Sequence, residues 1–449
     1  MHPIILIILA VIVLSILVLV HEFGHFIAAK LVGVWPEEFG IGLPPRAWGK
    51  KIGETIYSVN WLPLGGFVRL HGESADAKVT KPERAFVNAS RAKRAFVALA
   101  GIVMNFAFAW VCFSLMFLIT GIPKGVRVLY VETESPASVA QIKPGDEIYR
   151  FDNAELIGTE EYILNTKSAK GKKVNLSYKN GDVKQVDFLT EPLSYPVLVS
   201  EVVQNSPAAN GGILEGDIIK TINGSGFLSA NDFQSVIKDN RGKQIVMGIM
   251  RGDELVDLSI DVRQEAPEGQ GLTGITFQSG GSYDGLSGIM YGIEPVEVER
   301  PSPLNVIYYG ARETVKWTKF TVEALVTIFT DLGGGKVPQG LAGPFGVTLT
   351  IAEVIRYGIV AVLSFTGIIS VNLALVNVIP FPPLDGSRVL LLGVEAVVGK
   401  KNVQKIEGKL LNTGMALLLL LIVLLTLSEI PKLIAAGSIS GFVESLFVE

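Results

Sequence analysis

An apolar run near the start of the chain leads directly into a metal-ligand motif. Residues 3–20 carry no charged side chain, and His21-Glu22-Phe23-Gly24-His25 follows them. On a helix, residues 21 and 25 are about 40° apart around the axis and about 6 Å apart along it, so both rings can reach one metal ion. This spacing is typical of zinc sites in which the glutamate activates water. An acidic side chain in a membrane helix costs about 2.5–3.5 kcal/mol, which favours a functional site over an anchor that merely ends in polar residues.

Four apolar stretches are long enough to cross a membrane, since about 20 apolar residues span its hydrocarbon core. They lie at residues 4–20 together with the motif that follows, 95–122, 358–379 and 410–428. A mean hydropathy of +0.43 fits a membrane protein that also has soluble parts. The first stretch lacks a basic leader and a small-residue cleavage site, so we expect it to be retained rather than removed as a signal peptide.

Charge and cysteine content exclude two kinds of site. A net charge of −4 offers no basic surface for nucleic acid. The single cysteine, Cys112, allows neither a disulfide within the chain nor a cysteine-based zinc site, and we expect it to be a small buried side chain.

The distribution of Lys and Arg predicts the orientation in the membrane. These residues are concentrated in segments 50–94 and 388–409. In short loops they mark the cytoplasmic side. We therefore expect both segments on the cytoplasmic side, and the N-terminus, the large middle region and the C-terminal tail on the opposite side.

The first cytoplasmic segment is predicted to contain a β-hairpin. Thr55–Trp61 has strand-like residues, residues 63–66 form a Pro-Leu-Gly-Gly turn signal, and Phe67–Leu70 reads as the return strand. Such a hairpin could approach the bilayer and offer a free edge to an extended substrate. The alternative is a small β subdomain that does not contact substrate. His71 is expected to be structural.

The middle region contains an internal repeat. Ser135-Pro-Ala recurs as Ser206-Pro-Ala, and Gly145-Asp146 recurs as Gly216-Asp217, in both cases 71 residues later. The short β-rich segments around these motifs predict two compact domains. Their pattern resembles the PDZ domains of bacterial proteases, which dock extended chain ends between a strand and a helix. The alternative is a pair of domains that acts as a size filter and binds no peptide.

The motif in the first stretch leaves a zinc ion in need of a third protein ligand. Asp385 follows the third apolar stretch, where Pro380, Pro382 and Pro383 end the helix. The first and third stretches cross the membrane in the same direction, so His25 and Asp385 fall toward the same face, although spacing alone does not require them to meet. Irregular backbone at that depth suits a water-lined cavity.

Two interpretations are open for Asn105, a polar residue in the second apolar stretch. Its side chain either forms a hydrogen bond to another helix or faces the cavity.

Taken together, these motifs resemble the bacterial site-2 proteases, intramembrane zinc metalloproteases of the regulator-of-sigma-E protease type. The matching features, in order, are the His21–His25 motif, Gly65-Gly66-Phe67, Ala342-Gly343-Pro344, Asn372, Asn377, the Pro-x-Pro bend and Leu384-Asp385-Gly386. The two PDZ-like domains between the second and third stretches match the same subtype.

The resemblance assigns roles to these residues. It implies that His21, His25 and Asp385 bind Zn²⁺ and that Glu22 is the general base and acid. It also implies that Asn372 and Asn377 contact substrate, with hydrogen bonding between helices as the alternative. The same substrate role falls to the hairpin residues Gly65, Gly66 and Phe67.

The expected fold is a polytopic α-helical membrane protein with four transmembrane helices, a cytoplasmic membrane-associated β-hairpin region and two tandem extracytoplasmic PDZ domains. The predicted order is transmembrane helix 1 at 1–34, the hairpin region and connector at 35–94, transmembrane helix 2 at 95–122, PDZ domains at 124–192 and 193–265, a linker at 266–303, an interfacial amphipathic helix (or one packed on the spans) with a Gly/Pro bend at 304–346, transmembrane helix 3 at 351–386, a cytoplasmic loop at 387–409, transmembrane helix 4 at 410–428 and a tail at 429–449.

The resemblance further implies an enzyme of the bacterial inner membrane. Its substrates would be single-span membrane proteins, such as an anti-sigma factor, or signal-peptide remnants, cut within the membrane after a first extracytoplasmic cut. Two other functions remain open on the sequence. A non-catalytic PDZ scaffold or chaperone would not need the His/Glu/His/Asp set, and a metal transporter is disfavoured by four spans and large β domains.

Overall fold

The computed structural model describes residues 2–73, 79–252, 254–267, 270–277, 281–334 and 342–447. Contacts within the chain divide it into two compact units. The helical unit comprises Met1–Thr120 and Pro301–Glu449, and the β unit comprises Gly121–Arg300.

The first part of the helical unit contains two long helices with two long strands between them. These are α1 (Pro3–Val32), β1 (Pro36–Ile52), β2 (Thr55–Leu70) and α2 (Arg91–Thr120). Both helices are long and apolar enough to cross a membrane, as predicted. α1 begins after His2, whose ring accepts a hydrogen bond from the Ile4 amide, and it ends at Gly33, which has a positive φ of 82°.

β1 and β2 form a small sheet in which β1 lies between two parts of β2. Residues 56–59 run beside residues 38–41, and residues 66–70 pair with the same part of β1 on its other side. The predicted hairpin, in which Thr55–Trp61 pairs with Phe67–Leu70, is therefore wrong. The turn residues bind the chain to α1 instead: the Ser15 hydroxyl donates to the Pro63 carbonyl and accepts from the Gly65 amide. Residues 66–70 are left at the edge of the sheet.

Short strands and helices alternate in the β unit. Its elements are β3 (Ile122–Val131), α3 (Pro136–Val139), β4 (Glu147–Phe151), β5 (Ala154–Glu155), α4 (Thr159–Ser168), β6 (Lys173–Tyr178), β7 (Val183–Asp187), β8 (Val197–Val202), α5 (Pro207–Asn210), β9 (Ile218–Ile222), α6 (Ala230–Asp239), β10 (Gln244–Arg251), β11 (Glu254–Asp261), β12 (Ile275–Phe277), β13 (Gly281–Asp284) and β14 (Ile289–Glu299).

These strands make two sheets with separate apolar cores. The first has the order β13-β14-β3-β4-β6-β7, with β5 paired to β4, and the second has the order β11-β10-β9-β8-β12. Ile289 and Tyr291 of β14 belong to the core of the first sheet, and Ile275 of β12 belongs to the core of the second. We call the two bodies the first and second modules. The second module is thus inserted between β7 and β13 of the first.

The expectation of a linker at 266–303 is wrong, and so are the domain limits that depended on it. Three strands, β12, β13 and β14, lie in this segment and complete both sheets. Several of the Gly and Ser residues that suggested a linker lie in the tight loops before β12 and β14. Gly288 and Gly274, for example, have φ values of 81° and 76°, which favour glycine.

Six α-helices in the described residues after 300 belong to the helical unit. They are α7 (Pro303–Gly333), α8 (Pro344–Val354), α9 (Ile359–Val378), α10 (Asp385–Val398), α11 (Lys400–Ala436) and α12 (Ile439–Phe447). α9 and α11 are long and apolar enough to cross a membrane, as predicted for the third and fourth stretches. Most of the predicted Gly/Pro bend, at 335–341, lies outside the described residues.

Three element boundaries predicted for the C-terminal part of the chain are wrong. The third span ends at Val378, so Asp385 begins the next helix and does not end the span. The predicted cytoplasmic loop at 387–409 is helical, because Gly399 (φ 87°) is its only break and good helix formers lie on both sides. The predicted tail at 429–449 contains the end of α11 and all of α12.

α7, predicted to lie at the interface or on the spans, packs against α2 and α9. A Cβ atom at Gly310 would lie 2.1 Å from the Ser114 hydroxyl oxygen of α2, so only glycine permits this approach. The polar side of α7 also faces its neighbours, since Glu313 and Lys316 form an ion pair of 2.6 Å and both are nearly buried.

Candidate metal centre

Two imidazoles from α1 and one carboxylate from the start of α10 converge. The Nε2 atoms of His21 and His25 are 3.1 Å apart. One carboxylate oxygen of Asp385 lies 2.9 Å from the His21 Nε2 and 3.2 Å from the His25 Nε2. The structure therefore brings together all three residues that were predicted as metal ligands.

Small residues let α2 pass directly behind these rings. A Cβ atom at Gly101 of α2 would lie 2.6 Å from the His25 Nε2 and 2.7 Å from the His21 Nε2. A Cβ atom at Gly24 of α1 would lie 2.4 Å from the Ala100 carbonyl oxygen. The space beside the two Nε2 atoms thus exists because neither helix has a side chain at these positions.

The Nδ1 atoms of both histidines have hydrogen-bond partners on α2. The His25 Nδ1 lies 2.8 Å from the Val97 carbonyl oxygen. Because a carbonyl only accepts, this nitrogen carries the proton, and the Nε2 of a neutral His25 presents a lone pair toward His21 and Asp385.

The His21 Nδ1 lies 3.3 Å from the side-chain amide of Asn105. Asn105 is 1% exposed, and among the described residues its Oδ1 has no hydrogen-bond partner. Turning the amide by 180° lets its oxygen accept the Nδ1 proton of His21. In both histidines the Nε2 is then unprotonated and faces the other ring and Asp385.

This donor set fits zinc. In a tetrahedral site with bonds of about 2.0–2.1 Å, ligand atoms are about 3.3 Å apart. The three separations here are 3.1, 2.9 and 3.2 Å, within a few tenths of that value. Two bare imidazole nitrogens and a carboxylate oxygen repel one another at such distances unless a cation lies among them.

Glu22 connects this cluster to the edge of β2. Its ligand atom and those of His21 and His25 all lie within 4.8 Å of one another. One of its carboxylate oxygens accepts a hydrogen bond of 3.0 Å from the Val68 amide. The catalytic residue predicted from the sequence therefore lies between the candidate ligands and the free strand edge.

A cavity of about 390 Å³ opens beside the cluster. Of the predicted substrate residues, Phe67 and Asn377 line it. Asn372 instead accepts a hydrogen bond of 2.6 Å from the Thr321 hydroxyl of α7. Gly65 and Gly66 pack on α1, where a Cβ atom at Gly66 would lie 2.5 Å from a methyl carbon of Leu19.

Sequence reasoning missed two charged residues of the cavity wall, Arg388 and Glu73. Their side chains form an ion pair of 2.6 Å, and both line the cavity. Arg388 could have been singled out, since it follows Asp385 by three residues and shares its helix face. Nothing in the sequence connects it to Glu73.

A comparison with protein families identifies the family of the chain. The family model described as Peptidase family M50 matches residues 9–421. The chain belongs to peptidase family M50. Its activity is that of a metalloendopeptidase, and the predicted family is confirmed.

Curated proteins of similar length resemble this M50 peptidase over almost all of its sequence. The regulator of sigma-E protease RseP of Salmonella typhimurium is 30% identical over 458 residues, which cover 94% of this chain and 98% of that one. The regulator of sigma-W protease RasP of Bacillus subtilis is 28% identical over 94% of this chain and 97% of that one. A Clostridium perfringens protein named as a candidate zinc metalloprotease is 28% identical over 94% of this chain and 98% of that one.

One solved structure resembles a part of this M50 peptidase. The PDZ domain of an SdrC-like protein from Listeria monocytogenes is 27% identical, over 19% of this chain and 92% of that one. Its TM-score of 0.18 is too low to carry an argument about the fold.

Proposed function

We propose that this M50 peptidase is an intramembrane zinc protease that cuts single-span membrane proteins. The observation that carries the proposal is the meeting of His21, His25 and Asp385 within 3.2 Å of one another, at the end of a helix apolar enough to cross a membrane. A hydrolytic site placed there reaches peptide bonds that soluble proteases do not.

In this proposal the three converging residues hold Zn²⁺ and Glu22 moves protons. A zinc ion held there supplies Lewis acidity, which polarises a peptide carbonyl and acidifies water. Glu22 takes the proton from the attacking water and delivers it to the leaving nitrogen. Asn105 and the Val97 carbonyl keep the two imidazoles in the tautomer that leaves Nε2 free.

The edge of β2 is the proposed docking site for the stretch that is cut. A helical substrate hides its carbonyls in its own hydrogen bonds, so it must unwind first. Unwound, it can pair with residues 66–70 as an added strand. It would then take over the Val68 amide and release Glu22 for proton transfer, while Phe67 and Asn377 line its path. Asn372 is proposed to join α9 to α7 rather than to contact substrate.

Location and partners follow from sequence and relatives. The Lys- and Arg-rich segments support a bacterial inner-membrane protein whose metal centre lies near the cytoplasmic side and whose β unit lies outside. The names of two relatives tie them to sigma-E and sigma-W. We propose an anti-sigma factor or a signal-peptide remnant as substrate, reached after another protease has removed its outer domain.

Zinc content and cleavage test this proposal together. The full chain is purified in detergent, its zinc is quantified, and a model single-span substrate is offered. Wild type is expected to hold about one zinc ion and to cut the substrate within its apolar segment. Asp385→Asn is expected to lose both properties, and Asp187→Asn, at an exposed position of β7, is the matched control. A zinc-free wild type, or an Asp385→Asn variant with full activity, contradicts the proposal.

A further inference from the structure

The helix α10 carries the third candidate ligand, although it is not part of a membrane span. α9 ends at Val378, three prolines follow within 379–384, and Asp385 is the first residue of α10. A Cβ atom at Gly386 would lie 2.1 Å from the Val378 carbonyl oxygen, so the first turn of α10 rests on the end of α9. The rest of α10 packs against α2 and α11. The position of Asp385 therefore depends on how the whole of α10 docks.

Small rotations of α10 would displace the Asp385 carboxylate from the two histidines. The end of a side chain lies about 5–6 Å from the axis of its helix, so a rotation of about 10° moves it by about 1 Å. A metal ligand has to stay within about 0.5 Å of its productive position. Because the Asp385 oxygen lies 2.9 Å from the His21 Nε2, α10 has to be held in rotation to within about 5°.

The charged residues that can hold α10 lie on one side of it. Asp385, Arg388 and Glu395 fall within about 80° of one another around the helix axis. The opposite side is apolar and exposed, and its residues are Leu390, Val394, Val397 and Val398. α10 thus turns its charged side toward the rest of the helical unit.

Glu395 joins α10 to the first turn of α2. The Arg94 guanidinium donates from Nη1 to one oxygen of the Glu395 carboxylate at 2.9 Å and from Nη2 to the other at 2.5 Å. The two side chains are only 11% and 9% exposed. A two-point bond between planar groups fixes orientation as well as distance. Since α2 also passes behind the two histidine rings at Gly101 and faces one of them at Asn105, this pair ties all three candidate ligands to one helix.

Arg388 joins α10 to the end of β2. Its guanidinium lies 2.6 Å from one carboxylate oxygen of Glu73. The other oxygen of Glu73 accepts a hydrogen bond of 3.3 Å from the amide of Leu70, the last residue of β2. Glu73 therefore connects the proposed docking edge, residues 66–70, to the helix that carries Asp385.

We propose that these two ion pairs of α10 position Asp385 at the metal centre. The Arg94–Glu395 pair fixes the rotation of α10 against α2 and thereby sets the zinc affinity. The Glu73–Arg388 pair fixes the distance between a docked substrate strand and the metal, and thereby sets which peptide bond is cut and how fast. All four are positioning residues. The inference rests on the proposed function, since it requires a metal ion bound by Asp385.

Zinc affinity, measured by competition with a chelator on the full chain in detergent, tests the first pair. Glu395→Gln keeps the size of the side chain but removes its charge, and the zinc affinity is expected to fall about 10–100-fold. Arg94→Glu combined with Glu395→Arg restores an ion pair of reversed polarity and should recover the affinity to within about threefold of wild type. Glu83→Gln, at an exposed position before α2, is the matched control.

A second substitution distinguishes an effect through Asp385 from a general loss of structure. Asp385→Asn keeps both imidazoles and should bind added zinc weakly, with a dissociation constant that titration measures. If the pair acts through Asp385, adding Glu395→Gln to Asp385→Asn should change this constant by less than about twofold. A further loss as large as that in the wild-type background would overturn the proposal, and so would wild-type affinity in Glu395→Gln alone. A wild-type chain that binds no zinc would instead refute the proposed function, and this inference with it.

Cleavage of the single-span substrate tests the second pair. Glu73→Gln should bind zinc within about twofold of wild type, because the Arg94–Glu395 pair remains. Its kcat should fall at least about tenfold with little change in KM, because the substrate strand still docks but its peptide bond is displaced from the metal. Mass spectrometry of the products should show additional cuts at neighbouring bonds. Arg388→Lys, the conservative variant, can keep a single bond to Glu73 and should lose less than about threefold in kcat.

Two outcomes would overturn the role of the second pair. One is an unchanged kcat with a single cut position in Glu73→Gln. The other is a loss of zinc affinity in Glu73→Gln as large as that in Glu395→Gln, which would show that the two pairs do not have separate tasks.

Discussion

At the scale of single residues, Glu22 is the group whose role can be separated most cleanly from metal binding. Its carboxylate lies beside the candidate ligands but bonds to the Val68 amide, so Glu22→Gln removes the proton carrier and leaves His21, His25 and Asp385 in place. We expect zinc content to stay near wild type and the cleavage rate to fall about 10²–10⁴-fold. Zinc analysis and cleavage of the single-span substrate measure the two effects. The exposed Glu83→Gln is the control, and full activity in Glu22→Gln would exclude it as the proton carrier.

Asn105 is predicted to be a positioning residue for His21. Asn105→Ala removes the group that faces the His21 Nδ1, so the zinc affinity is expected to fall about 10–100-fold. Asn105→Asp keeps an acceptor there and should restore most of the affinity. Competition with a chelator measures the dissociation constant in each variant. Equal constants for wild type and Asn105→Ala would reduce Asn105 to a helix-packing residue.

The residues of the candidate site differ in how far the sequence reveals them. His21, Glu22 and His25 form a local motif, and Asp385 follows once a third ligand is sought. Asn105 stands out as polar in an apolar span, but only packing tells which ring it faces. The pairing of Arg388 with Glu73 has no local signal, because it depends on how α10 lies against the end of β2.

At the scale of elements, the edge of β2 links the fold to the proposed chemistry. Val68→Pro removes the outward amide while an edge position tolerates proline. We expect the protein to fold and bind zinc, and kcat/KM to fall at least about tenfold, because both the hold on Glu22 and a docking hydrogen bond are lost.

A neighbouring substitution controls for this prediction. Successive amides of a strand point to opposite sides, so the Arg69 amide faces β1, whereas the Val68 amide faces Glu22. Arg69→Pro therefore disrupts the sheet itself and should lower the yield of folded protein. Thermal unfolding, zinc content and cleavage kinetics distinguish the two variants. A Val68→Pro protein with unchanged kcat/KM would argue against substrate docking at this edge.

Long apolar helices were predictable because hydropathy reports them directly, and the spans at α1, α2, α9 and α11 agree with expectation. The pairing of the strands was not predictable from the sequence. The Pro-Leu-Gly-Gly at 63–66 has the composition of a hairpin turn, yet its polar backbone groups bond to Ser15 of α1. Three strands in 266–303 were missed: β12 and β13 have three and four residues, which is too few for alternation to be detected, and the 11 residues of β14 are interrupted by Gly292 and Pro295.

At the scale of the whole molecule, the β unit should be removable as one piece. Ile122 pairs with Glu299, so the chain enters and leaves this unit at adjacent points. Replacing 122–299 by a Gly/Ser linker of about six residues is expected to leave zinc binding intact. If the unit selects trimmed substrates, this variant should cut a substrate with a bulky outer domain as fast as a trimmed one.

The boundaries chosen for the deletion determine whether the remaining protein folds. Removing 124–265, the two domains as the sequence suggested them, leaves β14 without its partner β3 and should give aggregated protein of low yield. Yield in the membrane fraction, gel filtration and paired cleavage assays compare the two deletions. Retained discrimination against untrimmed substrate in the 122–299 replacement would refute a role for the unit in selection.

The insertion of one module into the other also sets an order of assembly. The second module is continuous in sequence, from 193 to 277, and can fold as soon as it has been synthesised. The first module has to wait for β14, its last strand, which lies between β13 and β3 and is the second strand from the edge of its sheet. The sheet of the first module can therefore be completed only after the whole second module has been synthesised, so the module that begins first along the chain is the last to be finished.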